Sequence, residues 1–210
     1  MMKNKVMELI SYLEELYPHA RCELSYQKDY ELLIATVLSA QCTDKRVNQV
    51  TKVLWENYTI ETLATAEKKD IEKIIHSLGS SNKKSEYIID IARRLVSDYE
   101  GKVPNDREYL ESLKGVGRKT CNVVLSNLYD VPAIAVDTHV SRVSKRLGLA
   151  KEEDEVFTIE QKLMRKFPKE KWSKLHHQLV LFGRYQCKAV HPICTNCKLQ
   201  EYCNYAKKKK

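Results

Sequence analysis

"EYLESLKGVGRKTCNVVLSNLYD", residues Glu108–Asp130, decides how this chain is read. The spacing predicts a short helix up to Leu113. "GVG", at Gly115–Gly117, is too small and too free in its backbone for a helix interior and reads as a tight turn. A second helix then starts near Arg118, with Cys121, Val124, Leu125 and Leu128 as its apolar stripe. At about 100° per residue, Lys119 points about 160° away from Cys121, in the first turn and off the core face. Most such lysines are simply solvated. Two features argue for more here. A glycine turn ahead of a helix offers backbone N–H groups to a phosphate. Cations are also disfavoured at a helix N-terminus, whose partial charge is positive, yet Arg118 and Lys119 both stand there. The same positive end favours the neutral amine that a nucleophile requires.

Working outward, helical periodicity recurs and strand alternation does not, so the chain is expected to be all-α. "ELLIATVLSA" (Glu31–Ala40) is apolar nearly all round and reads as a buried central helix. Val47, Val50, Thr51, Leu54, Trp55 and Tyr58 share one helical face, and Ile71, Ile74, Ile75 and Leu78 share another, stopped by Gly79. Ile88, Ile91, Ala92, Leu95 and Tyr99 give a helix ended by Gly101. Val140, Val143 and Leu147 give a short one ended by Gly148. Val156, Ile159, Leu163 and Phe167 give one ended by Pro168, and a last helix is expected through "KWSKLHHQLVLFGRY".

A chain of 210 residues has ample length for a core, in one domain or two small ones. The N-terminal "MMKNKVMELISYLEEL" has no apolar run of signal-peptide length, and no stretch approaches a membrane span. The expected setting is a reducing cytoplasm, with no membrane partner. The net charge of +8 suits a phosphate-rich partner without proving one. "KKKK" at Lys207–Lys210 reads as a solvated tail that adds non-specific phosphate attraction.

"VPAIAVDTHVSRV" (Val131–Val143) places Asp137 at a helix start, where its plain role is N-cap. A carboxylate so held would also suit a group that stabilises positive charge. His139, close behind, reads as structural. "CKAVHPICTNCKLQEYC" gathers Cys187, Cys194, Cys197 and Cys203 at C-x6-C-x2-C-x5-C, while the other three of the seven cysteines are scattered. In a reducing setting such a group points to metal or redox chemistry, and four thiolates suit Zn²⁺ or an iron–sulfur cube equally well.

"ELLIATVLSAQCTD", "GKVPNDREYLESLKGVGRKTCNVVL", "AIAVDTHVSRV", "LVLFGRYQC" and the cysteine spacing, in this order, resemble the endonuclease III family of helix-hairpin-helix DNA glycosylases over nearly the whole chain. The resemblance implies two helical domains with a cleft between them. Residues 22–132 would form a six-helix domain carrying the hairpin at about 108–129. Residues 1–21 with 133–210 would form a discontinuous iron–sulfur domain. It implies a [4Fe–4S] cluster on the four cysteines, with no catalytic part, that organises the loop Lys188–Ile193 and offers Lys188, and with it His191, to DNA phosphates. It implies Lys119 as nucleophile and Asp137 as its partner across the cleft, in a bifunctional glycosylase and abasic-site lyase of base excision repair. The substrates implied are oxidised pyrimidines such as thymine glycol, and abasic sites, in double-stranded DNA. Gly115, Val116 and Gly117 would bind DNA, Glu111 would lie near the flipped base, and Gln41 would fill the gap it leaves. Read locally, Glu111 is also an ordinary helix carboxylate and Gln41 a polar residue that ends the buried helix. The protein is expected to work as a monomer, inside the cell and at a bacterial-type nucleoid.

The chain departs from the family pattern twice. Lys114 stands where the hairpin usually has proline, loosening the turn and adding a charge that could reach a phosphate. In "LGSSNKKS" (Leu78–Ser85), Ser80 and Ser81 occupy a loop in which the family commonly has a bulky apolar wedge. Gln41 is then expected to carry more of the gap-filling. Two other readings compete. A monofunctional adenine glycosylase would lack the lysine and carry a further C-terminal domain, whereas this sequence stops just after the fourth cysteine. A non-enzymatic hairpin protein with a zinc knot would leave Lys119 and Asp137 as ordinary surface residues.

Overall fold

The computed structural model describes residues 2–207, so Lys208–Lys210 of the basic tail lie outside the described residues. The described residues form helices joined by turns and loops, without a strand. In chain order the helices are α1 (Met2–Leu16), α2 (Asp29–Leu38), α3 (Asp44–Asn57), α4 (Ile60–Ala64), α5 (Lys68–Ile75), α6 (Ser81–Tyr99), α7 (Arg107–Ser112), α8 (Arg118–Leu128), α9 (Thr138–Arg146), α10 (Val156–Lys166), α11 (Trp172–Leu181) and α12 (Asn204–Lys207). The chain divides into two compact units, Met1–Cys22 with Asp130–Lys210, and Glu23–Tyr129.

In the unit Glu23–Tyr129, α2 is buried on every side from Tyr30 to Leu38, as its all-round apolar sequence requires. Carboxylates secure its polar start. Buried Glu31 accepts the backbone N–H groups of Gln27 (2.7 Å) and Lys28 (3.3 Å), and Asp29 accepts that of Val103 (2.6 Å). Helix α6 is the platform for the hairpin. Ile88, Ile91, Ala92 and Leu95 point inward and are fully buried. Its outer face holds α7. Arg94 donates to the Ser112 carbonyl (3.2 Å) and lies over the Tyr109 ring at 4.8 Å. The Tyr109 hydroxyl donates to Asp98 (3.0 Å), and its ring meets Tyr99 edge-on at 4.6 Å. Burial, then the Asp98 carboxylate, push the Tyr109 phenol well above its ordinary range.

The turn before α6 is shorter than the sequence suggests. Ser81 is already helical, and only Gly79 (φ 66°) and Ser80 (φ 48°) make the reversal. Two consecutive residues of positive φ, only Ser80 of them in the left-handed helical region, suffice to turn the chain. The Lys84 N–H bonds the Ser80 carbonyl at 3.0 Å, closing the first helical turn at once.

In the other unit, Leu9 and Leu13 of α1 pack with Val140 and Val143 of α9, Leu163 of α10, and Leu179 of α11. Each such buried side chain contributes about 1.5–3 kcal/mol. The last long helix does not run on as a plain α-helix to Tyr185. After Leu181 it widens into a π-turn over Phe182–Gln186, closed by the Cys187 N–H on the Phe182 carbonyl at 2.6 Å. The cause is a close approach to α9. A Cβ on Gly183 would lie 2.8 Å from His139 Cβ, and Arg142 Nη2 donates to the Gly183 carbonyl at 2.7 Å. The wider turn keeps Phe182 in the core, edge-on to Tyr12 at 6.2 Å, and delivers Cys187.

Candidate active site and nucleic-acid interface

The hairpin is built from its glycines outward. Leu113 and Val116 are buried, and the Val116 N–H closes the turn on the Leu113 carbonyl at 3.1 Å. Gly115 has φ 80°, and a Cβ there would meet Tyr87 Cδ2 at 2.6 Å, so neither backbone nor space admits another residue. Gly117 is the opposite case. Its φ of −98° is ordinary, and nothing lies within 4 Å of a Cβ built on it. It stands at the N-cap of α8 and has no side chain to place over the first-turn N–H groups. Lys119 is the second residue of α8 and exposed, while Cys121 is fully buried. Burial pushes the Cys121 thiol up to about 11, and a Glu111 hydrogen bond adds to the shift.

Glu111 is exposed but engaged. Arg107 Nη1 donates to it at 2.8 Å while Nη2 donates to Asn122 Oδ1, also at 2.8 Å, so one guanidinium cross-links the two hairpin helices. Sequence reasoning missed this pair, although the i,i+4 spacing of Arg107 and Glu111 and an Asn within an apolar stripe were both visible signals. Lys114, in the usual proline position, lies 3.8 Å from Glu86 and 3.7 Å from Asp90 on the surface, which adds little stability. Gln41 is exposed in a turn beyond α2 with φ 59°. The next residue, Cys42, donates its thiol to the Leu78 carbonyl at 2.7 Å, so the Gln41 and Ser80 turns are neighbours.

In the unit containing α9, Asp137 caps that helix and accepts the Val140 N–H at 2.8 Å. His139 is half-buried. Burial holds its ring below the ordinary histidine range, against the opposing pull of Asp137. Cys187, Cys194, Cys197 and Cys203 are free thiols edging one pocket, whose apolar wall includes Phe182 and Ile193. Burial raises the Cys187 and Cys197 thiols, and the Arg146 guanidinium, 3.4 Å from Cys187 Sγ, pulls the former back. Among the described residues, no three His, Cys, Asp or Glu side chains converge closely enough to hold a single ion. Two arginines of α9, which sequence reasoning also missed, hold the cysteine loop. Arg142 Nε donates to the Cys187 carbonyl (3.2 Å), and Arg146 donates to those of Lys188 (2.7 Å) and Ala189 (3.0 Å). Lys188 and His191 are exposed, and His191 has φ 50°.

A glycine hairpin that opens a helix, within an all-helical chain, places the molecule among helix-hairpin-helix proteins. The sequence agrees, because residues 34–169 match the family described as "HhH-GPD superfamily base excision DNA repair protein". Endonuclease III of Bacillus subtilis (strain 168) is 47% identical over 196 residues, 93% of this chain and 90% of that protein. The Escherichia coli (strain K12) endonuclease III is 41% identical over 209 residues, 99% of each chain. A solved endonuclease III, trapped as a covalent intermediate with DNA, superposes with a TM-score of 0.95 at 46% identity, covering 100% of this chain and 99% of that one. The chain belongs to the endonuclease III family, the DNA glycosylases and abasic-site lyases of base excision repair. The family carries a [4Fe–4S] cluster. No helix among the described residues is long and apolar enough to cross a membrane.

Proposed function

We propose that this glycosylase releases oxidised pyrimidines from double-stranded DNA through Lys119, with Asp137 as its partner, and then cuts the strand at the resulting abasic site. The observation that carries this reading is Lys119 itself. It is an exposed amine in the first turn of a helix that starts behind an open glycine, so a phosphate held by the turn would bring a sugar to the amine. The trapped covalent complex of a relative supports a nucleophilic enzyme of this kind.

The damaged nucleotide is first turned out of the stack, at a cost of a few kcal/mol that is smaller for a damaged pair. The neutral amine of Lys119 attacks C1′, and the base departs with the electrons of the glycosidic bond and takes up a proton. Asp137 stabilises the positive charge that develops on the sugar. The C1′–nitrogen adduct opens to a protonated Schiff base. Loss of a C2′ proton expels the 3′ phosphate by β-elimination, and water frees the lysine. Gly115 and Gly117 grip the backbone while buried Val116, its N–H spent on the Leu113 carbonyl, anchors the turn from within. Glu111 faces the flipped base, and Gln41 fills the vacated space.

Cys187, Cys194, Cys197 and Cys203 would hold the [4Fe–4S] cluster. Four free thiols edging one pocket with an apolar wall are the donor set that a thiolate-bound cluster takes. When bound, the group supplies iron–thiolate cross-links that fix the loop. The loop then presents Lys188 to a DNA phosphate. The enzyme acts as a monomer on chromosomal DNA, since a lesion in one strand presents no two-fold symmetry to match. The test is a duplex with one thymine glycol. Cutting at the lesion, with an undamaged duplex left whole, is expected. An intact lesion strand would overturn the reading.

A further inference from the structure

We propose that Lys84 is a positioning residue for lesion recognition, whose ammonium clamps the Gln41 turn to the Gly79–Ser80 turn so that both are set to enter the gap in the duplex. This rests on the reading above that the Gln41 turn faces the gap. Lys84 is 6% exposed, unusual for a lysine, and its three N–H donors are matched to three carbonyls: Leu38 at 2.9 Å, Ala40 at 2.8 Å and Leu78 at 2.9 Å. Leu38 and Ala40 lie at and just beyond the C-terminal end of α2, where carbonyls lack helical partners and the helix end favours a cation. Leu78 ends the short 3₁₀ turn before Gly79. Cys42 Sγ, bonded to the same Leu78 oxygen, is 3.6 Å from the ammonium.

Each clamped turn holds a non-glycine residue in the left-handed region, Gln41 at φ 59° and Ser80 at φ 48°. Such conformations persist where surrounding contacts fix them, and they gather at sites of recognition. A lysine is a costly way to join two turns if packing alone were needed, because its charge must be matched oxygen by oxygen. What the ammonium supplies is a fixed separation between two tips. With serine in place of a large apolar wedge, gap-filling depends on that separation rather than on bulk.

The experiment compares the wild type with Lys84→Met, which keeps length and removes the donors. The assays are excision from a thymine-glycol duplex, borohydride trapping at an abasic site in single-stranded DNA (where there is no gap to fill), and the emission of 2-aminopurine opposite an abasic analogue. The variant is expected to lose about tenfold or more in kcat/KM on the lesion duplex and most of the 2-aminopurine response. Its single-strand trapping should stay within about twofold of wild type. Equal losses on both substrates would make Lys84 a general scaffold residue and overturn the proposal, as would unchanged excision and emission. Should Lys84→Met melt below the assay temperature, Lys84→Arg takes its place, and the same selective loss supports or the same uniform result overturns. A wild type inactive on every substrate would instead refute the function proposed above.

Discussion

Asp137 and Arg146 stand at opposite ends of one helix. Asp137 caps α9 through the Val140 N–H at 2.8 Å, and Arg146, in its last turn, donates to the Lys188 carbonyl at 2.7 Å. A single short rod thus joins the proposed catalytic carboxylate to the loop of the cysteines. Arg146→Met should leave Asp137 in place but release that loop. The expected loss is about 1–2 kcal/mol of stability and about tenfold in DNA affinity, with a smaller salt dependence, measured by thermal melting and by binding titrations over salt. An unchanged affinity would separate the loop from DNA binding.

Capping and catalysis at Asp137 can be told apart. Asparagine caps a helix about as well as aspartate but carries no charge. Asp137→Asn should therefore melt near the wild-type temperature and lose about 100-fold or more in base release. Asp137→Ala should lose the same activity and a further ~1 kcal/mol of stability. Full activity in Asp137→Asn would leave the carboxylate as a cap alone.

The hairpin glycines should differ in kind. Gly115→Ala places a methyl 2.6 Å from Tyr87 Cδ2 at φ 80°, and should cost about 2 kcal/mol or more. Gly117→Ala meets nothing, and should cost under about 1 kcal/mol while weakening DNA binding, because the methyl stands where a phosphate approaches. Melting and binding measured on the two variants check both halves.

Acid should weaken the fold through His177. Its ring lies 4.8 Å from that of His176, and burial, then the neighbouring His176, lowers its pKa from 6.5 to about 3. A folded pKa below the unfolded value means that the unfolded chain binds the extra proton. The stability is complete above about 6.5 and is lost as pH falls towards about 3, with about 2 kcal/mol gone by about pH 5. His177→Phe should flatten the fall of melting temperature over that window. Parallel curves would contradict this.

Much of this was legible because it rests on local rules. The all-round apolar run of α2, the glycine turn, the Asp137 cap and the clustered cysteines each obey a pattern that neighbours in sequence express. The rest depends on packing partners far along the chain. Lys84 follows Lys83 in a polar stretch and looks as solvated as its neighbour, yet a step of about 100° around α6 turns it inward beneath the end of α2. The π-turn leaves no trace in periodicity, since its cause is Gly183 lying against His139 on another helix. Arg142 and Arg146 sit on the polar face of α9, where nothing local distinguishes a loop-holding guanidinium from an exposed one.

Borohydride trapping tests the central claim most directly. The enzyme is mixed with a thymine-glycol duplex and, separately, with a plain abasic duplex, with Lys119→Ala as control. A covalent adduct on both duplexes, absent from the variant, is the predicted result. No adduct on either, or an equal adduct from Lys119→Ala, would contradict the assignment of the nucleophile.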